Sequence, residues 1–428
     1  LLMAAILFGL MFGFMLLGIP IAFSIALSTG GFLVLTDSGP LLLLAQRFFL
    51  GMDSFVLLAV PLFTLTGYLM EQCGLSRRLI EWVECIFGRI RGSVGVVTIV
   101  SCAIFAALVG SGPATIAAIG ALMMPALLKS GYSQETSAGM VAAGGALGPI
   151  IPPSVGMIVY GSTMNLSIPK MFMSAIIPGL MMMVALIIVN FIIVRKQNIP
   201  PSEKTYTAKE KLVRTWKALP ALLLPVIILG GIYGGIFTAT EAAVVSVVYS
   251  MIVGTFLGEL KLKKLGYAMA SAVETSAMIS LILGVSNLFG WILAYAKIPQ
   301  AIADLVIPIV QTKAVYLVVL CILMLIVGAL METLTSIVIL APILAPIGIE
   351  LGIDPLVVGM VFCLSLIIGV VTPPFGVNLF TVTSTAGISF RRVVKGAAPF
   401  ILALIVVVLL VSLFPQILLI LPNLLMKG

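Results

Sequence analysis

Two stretches decide the fold: GPIIPPSVG at 148–156 and GVVTPPFGV at 369–377. Each sets two consecutive prolines inside a long apolar run. Proline lacks a backbone N–H and its ring clashes with the preceding turn, so each run reads as a helix opened in its middle. The stretches stand 221 residues apart, and the same offset pairs Pro125 with Pro346, Gly131 with Gly352, Gly148 with Gly369, and Pro178 with Pro399. No gap is needed, which is the mark of an internal repeat. Upstream the match loosens, with Gly18-Ile19 facing Gly235-Ile236 at a slightly different offset.

Composition supplies the solvent for these helices. Hydrophobic residues make up 61% of the 428 and charged residues 9%, against about one quarter charged in soluble domains. With a mean hydropathy of +1.29, the bilayer must surround most of the chain. At about 20 apolar residues per span, candidates fall near 1–18, 20–36, 52–72, 137–165, 172–194, 219–236, 240–257, 266–296, 354–386 and 396–421. Two runs, 94–128 and 314–349, are interrupted by GSGPAT at 110–115 and ETLTS at 332–336. A polar break at membrane depth is stable only when buried in protein or lining a cavity, so both read as re-entrant helical hairpins. The chain opens on Leu1 with no basic leader, so no cleavable signal is expected and the start reads as trimmed or continued from upstream.

The expected architecture is an all-α polytopic membrane protein of two repeats. The first, 1–200, holds hairpin 94–128 and broken helix 137–165; the second, 219–428, holds hairpin 314–349 and broken helix 354–386; a polar linker, 201–218, joins them. Five crossings per repeat, an odd number, make the repeats inverted. On that scheme 18 of the 23 Lys and Arg residues fall on one side, which the positive-inside rule makes cytoplasmic, with both termini outside. Two amphipathic segments, 76–87 and 299–310, precede the hairpins and read as interfacial arm helices.

Histidine is absent, which removes the usual general base, triads and most zinc sites. The five cysteines are scattered through apolar runs and read as small core residues. Broken helices near mid-membrane instead point to the site of a secondary transporter, since an interrupted helix offers carbonyls at one broken end and N–H groups at the other. One expected sodium site gathers Ala107, Ser111, Gly148, Ile151 and Pro153; its repeat mate gathers Gly328, Glu332, Gly369, Thr372 and Phe375. An oxygen-only donor set suits a hard cation such as Na⁺, and carbonyl ligands alone leave H⁺ open as the coupling ion. Ser111, Ser154, Glu332, Thr333 and Asn378 are the substrate-binding candidates, with Thr335 and Ser336 beside them. Glu332 is the single carboxylate at a hairpin tip, and a helix-capping role is the competing reading. Glu241, in FTATEAA at 237–243, reads as a cap.

The stretches GSGPATIAAIGALMMPAL (110–127), GPIIPPSVGMIVYG (148–161), GIYGGIFTATEAA (231–243) and GVVTPPFGVNLF (369–380) resemble the large membrane subunit of tripartite ATP-independent periplasmic (TRAP) transporters, over essentially the whole chain. The resemblance implies an elevator-type carrier in a bacterial inner membrane that imports an organic acid with Na⁺. It also implies two partners, a small four-helix membrane subunit and a periplasmic substrate-binding protein. Family substrates include C4-dicarboxylates, sialic acid, ectoine and keto acids. A polar site with few basic residues suits a polyhydroxylated monoanion, which makes sialic acid the first expectation and a C4-dicarboxylate the second. A stand-alone divalent-anion symporter is the neighbouring reading. An intramembrane enzyme would need a catalytic dyad in one cavity, and the spans hold no such pair.

Overall fold

The computed structural model describes residues 2–37, 39–88, 90–200, 205–310, 312–374 and 376–426. Helices make up its regular structure, and nine of those described are long and apolar enough to cross a membrane. Both halves run through the same elements. A pair of helices comes first, Leu2–Leu16 and Ile21–Thr36 in one half, Ala208–Tyr233 and Ala239–Phe256 in the other. Their connecting turns match: Gly18 and Gly235 are left-handed, with Ile19 N donating to Phe14 O and Ile236 N to Gly231 O. Glycine fits there because the left-handed conformation strains a side chain.

Next comes a scaffold helix, continuous in the second half as Leu262–Tyr295 but interrupted in the first, where Leu42–Met52 and Phe55–Gln72 are separated at Asp53-Ser54. Arm helices follow, Leu75–Phe87 and Ile298–Val310, close to the expected bounds. Each hairpin has two antiparallel limbs: Ser93–Val109 with Gly112–Lys129, and Lys313–Leu330 with Thr333–Glu350. The first returning limb contains a π-helical turn, Ile116–Gly120. Then come the broken helices, Gln134–Gly145 with Val155–Thr163 and Pro355–Gly369 with Val377–Ala386, and the long helices Ile168–Lys196 and Phe390–Leu413.

Three expectations needed adjustment. Leu42–Met52 was not among the expected spans, because eleven residues containing Arg47 fall short of a crossing by themselves. The expected linker, 201–218, gives way at Ala208 to helix, nucleated by a capping box in which Thr207 accepts from Glu210 N and Glu210 from Thr207 N. Residues 201–204 lie outside the described residues. The last span, expected through 421, ends at Leu413, and a separate short helix, Gln416–Leu425, follows Pro415.

The helices pack as two groups. The outer group joins Ala59–Gln72 to Ala239–Phe256 and Leu262–Tyr295. It is tied across the halves by Thr66 Oγ1 to Ser246 Oγ at 2.7 Å and by Lys264 Nζ donating to Gln72 O at 2.9 Å. The inner group holds the hairpins, the broken helices, and helices Ile168–Lys196 and Phe390–Leu413. The groups meet where Ala59–Gln72 lies on Ser93–Val109 and Leu262–Tyr295 lies on Thr333–Glu350, and the arm helices Leu75–Phe87 and Ile298–Val310 pack on the same two limbs. At the first contact a methyl on Gly67 would sit 2.8 Å from Val109 Cγ1, so helix and hairpin approach closely there.

Each hairpin is clasped at its base, by different chemistry. Tyr132 Oη donates to Asn190 Oδ1 at 2.8 Å and reaches Gly92 O at 3.2 Å, closing the first. Lys313 Nζ donates to Gly352 O at 2.6 Å, closing the second.

Candidate functional site

The first hairpin turns over two residues. Gly110 is left-handed, with φ +66°, and Ser111 is extended, with φ −132° and ψ 131°. Helix then restarts as Ser111 O accepts Thr115 N at 3.1 Å and Thr115 Oγ1 at 2.8 Å. A methyl on Gly110 would lie 2.5 Å from Pro153 O, and one on Gly148 2.7 Å from Ser111 O. Hairpin tip and helix break therefore meet backbone to backbone, as the first expected cluster requires. Ala107 lies buried one turn before the tip, while the Ile151 side chain packs toward Gly179 and so offers the site only its backbone.

The second hairpin repeats this with a charge added. Met331 and Glu332 are extended, and Glu332 caps the returning limb: its Oε2 accepts Leu334 N at 2.8 Å, Thr335 N at 3.0 Å and Thr335 Oγ1 at 3.4 Å. A carboxylate suits this position because the first amides of a helix lack partners and carry its positive pole. Ser336 Oγ donates back to Glu332 O at 2.8 Å, so that hydroxyl is engaged locally. Behind the tip Gly328 meets Gly369, where a methyl on either would lie within 3 Å of the other's Cα. Thr372 Oγ1 donates to Ile368 O at 2.9 Å. Phe375 lies outside the described residues.

The hairpins are shared between the halves, which reading each cluster by itself missed. Asn378, from the second broken helix, is 1% exposed and packs on the first tip, where a methyl on Gly112 would lie 2.7 Å from Asn378 Oδ1. Conversely, Gly156 on the first broken helix faces Thr333 and Ile337 on the second hairpin. No one-dimensional pattern carried this, since the contact joins residues more than 170 positions apart. Ser154 is fully buried, donates to Pro149 O and accepts Met157 N at 3.3 Å, so its hydroxyl is spent capping Val155–Thr163.

Helix length bears on the depth of the site. At about 1.5 Å per residue Gln134–Gly145 is about 18 Å long, so a helix that starts at the membrane surface and runs along its normal would bring the break more than halfway through a hydrocarbon layer about 30 Å thick. There, among the described residues, no hydrogen bond is made to the carbonyls of Ala107, Pro153, Gly328 or Thr372, nor to Asn378 Oδ1. Buried oxygens left without donors are costly. A hard cation satisfies such oxygens, so the donor chemistry fits Na⁺. Among the described residues no three His, Cys, Asp or Glu side chains converge, and all five cysteines are buried free thiols.

Residues 8–417 match the family description "Tripartite ATP-independent periplasmic transporter, DctM component". The chain is 38% identical to an isethionate TRAP transporter permease protein of Oleidesulfovibrio alaskensis, over 96% of this chain and 65% of the relative, so it spans a little under two thirds of that protein. It is 38% identical to a C4-dicarboxylate TRAP transporter large permease protein of Pseudomonas aeruginosa, over 89% of each chain. Against a sialic acid TRAP transporter large permease protein of Vibrio cholerae the identity is 35%, over 96% of each. In structure it is similar to the YdaH transporter of Alcanivorax borkumensis, with a TM-score of 0.60 at 14% identity over 88% of each chain, a likeness of fold. These relatives are named as transporter permeases and not as enzymes. With the family description covering nearly its whole length, the chain belongs to the large permease components of the tripartite ATP-independent periplasmic transporters.

Proposed function

We propose that the protein imports a carboxylate-bearing organic acid across a bacterial inner membrane, driven by a Na⁺ gradient. The observation that carries this is the meeting of two hairpin tips with two helix breaks, where Asn378 Oδ1 and several carbonyls have no donor among the described residues. In this reading Na⁺ at the first break is held by the carbonyls of Ala107, Gly148, Ile151 and Pro153 with Ser111. At the second it is held by the region of Gly328, Gly369 and Thr372. Substrate lies between the tips against Ser111, Thr333, Asn378 and the free oxygen of Glu332. Ser154 supports the site as a cap.

The two-group packing supports an elevator movement, in which the inner group carries the site past the outer group. The odd crossing number and the basic residues support inverted repeats with both termini outside. Sialic acid is the first substrate candidate and a C4-dicarboxylate the second, both named among the relatives. The partners would be a small membrane subunit and a periplasmic binding protein. Reconstitution of the assembled transporter into liposomes tests this. Uptake should require an inward Na⁺ gradient and the cognate binding protein. Equal uptake after replacing Na⁺ by K⁺ would remove the coupling, and uptake without the binding protein would favour a stand-alone symporter. A binding screen on the partner protein should name the acid.

A further inference from the structure

A groove of about 980 Å³ lies far from the tips, between Ile168–Lys196 and Phe390–Leu413, with the start of Gln134–Gly145 at its mouth. It forms because Phe390–Leu413 is drawn onto Gln134–Gly145: a methyl on Gly396 would lie 1.8 Å from Glu135 O, so the two backbones touch. Pro399 and Ala403 continue the groove as a shallow floor, while Ile188, Ile192, Leu402 and Val406 stand exposed along it. From Ala185 to Lys196 it runs about 16 Å along the helix, about half of the hydrocarbon thickness and so the depth of one leaflet.

Its mouth is polar and basic. Lys196 and Lys395 line it, and among the described residues neither makes an ion pair or hydrogen bond. The one carboxylate there, Glu135, is already engaged by Arg392 at 3.7 Å. Two unpaired ammonium groups above an apolar channel one leaflet deep match an amphiphile with an anionic head. We propose that this groove holds an anionic glycerophospholipid, its phosphate between Lys196 and Lys395 and one acyl chain along the Ile188–Leu402 walls. A zwitterionic lipid offers the same chain but pairs its phosphate with its own cation, so charge provides the selection.

The test uses the purified transporter, with its small subunit, exchanged into nanodiscs or detergent and titrated with phosphatidylglycerol or phosphatidylcholine by native mass spectrometry. Phosphatidylglycerol should be retained more tightly. At about fivefold per lysine near an anionic headgroup, the Lys196→Gln/Lys395→Gln variant should bind it about 30-fold more weakly. Ala403→Phe keeps both lysines but fills the floor, and should displace the lipid as well. Unfolding temperature in neutral detergent, unchanged by either variant, guards against misfolding. Equal retention of the two lipids, undiminished binding by the lysine variant, or competition by glycerol phosphate alone would each overturn the proposal.

Discussion

Glu332 has two duties that substitution can separate. As a cap it satisfies two backbone amides through one oxygen; as a carboxylate it would, in the proposed function, offer its other oxygen to substrate. Asn caps helices about as well as an acidic residue, so Glu332→Asn should leave the thermal unfolding midpoint nearly unchanged while uptake falls to background. Glu332→Ala should lose uptake and also about 1 kcal/mol of stability. Retained uptake in the Asn variant would make Glu332 purely structural. A second prediction concerns close backbone approach. Gly328→Ala forces a methyl to within 2.2 Å of Leu366 O, and such overpacking costs about 1–3 kcal/mol. Gly9→Ala, where a methyl meets nothing within 4 Å, should leave the midpoint unchanged or raise it slightly. The placing of Ser111 and Glu332 at the two hairpin tips was legible, because a fixed offset carries one onto the other in the sequence. The place of Asn378 was not, because its neighbour Gly112 is set by how the two halves fold together.

Elements show where local chemistry speaks plainly and where it misleads. The Thr238-x-x-Glu241 box opens Ala239–Phe256 as its residues suggest. The equivalent box at Thr207 and Glu210 was read through as linker, since the charges of the first turns outweigh their helical signal in a hydropathy scan. Leu42–Met52 was lost for a related reason: only continuity with its mate inside Leu262–Tyr295 identifies it as half of a scaffold helix. The π turn at Ile116–Gly120 has no compositional signature at all. The hairpin clasps make a prediction at this scale. Tyr132→Phe removes a buried bond to Asn190 and should cost about 1 kcal/mol. Amide exchange should quicken at the base of the first hairpin while the second, held by Lys313, stays unchanged. Equal quickening in both would mean that the hairpins open as one unit.

For the whole molecule, the outer and inner groups must slide past each other if the site is carried across the membrane. Gly67 and Val109 face one another across that contact at a spacing close to the Cβ separation of a disulfide. A Gly67→Cys/Val109→Cys variant, oxidised, should stop uptake and recover it on reduction; the five native thiols are buried and stay out of the reaction. Undiminished uptake in the cross-linked protein would fix the first hairpin to the outer group. That a membrane carrier was present could be read from composition and two proline pairs, but which helices travel is a property of packing. The crosswise seating of Asn378 on the first tip and of Gly156 on the second bears on whether either half can stand alone. Each tip is walled on one side by the helix break of its own half and on another by the opposite half, so neither half alone encloses its tip. Residues 1–200 and 205–428 expressed apart should therefore still find each other.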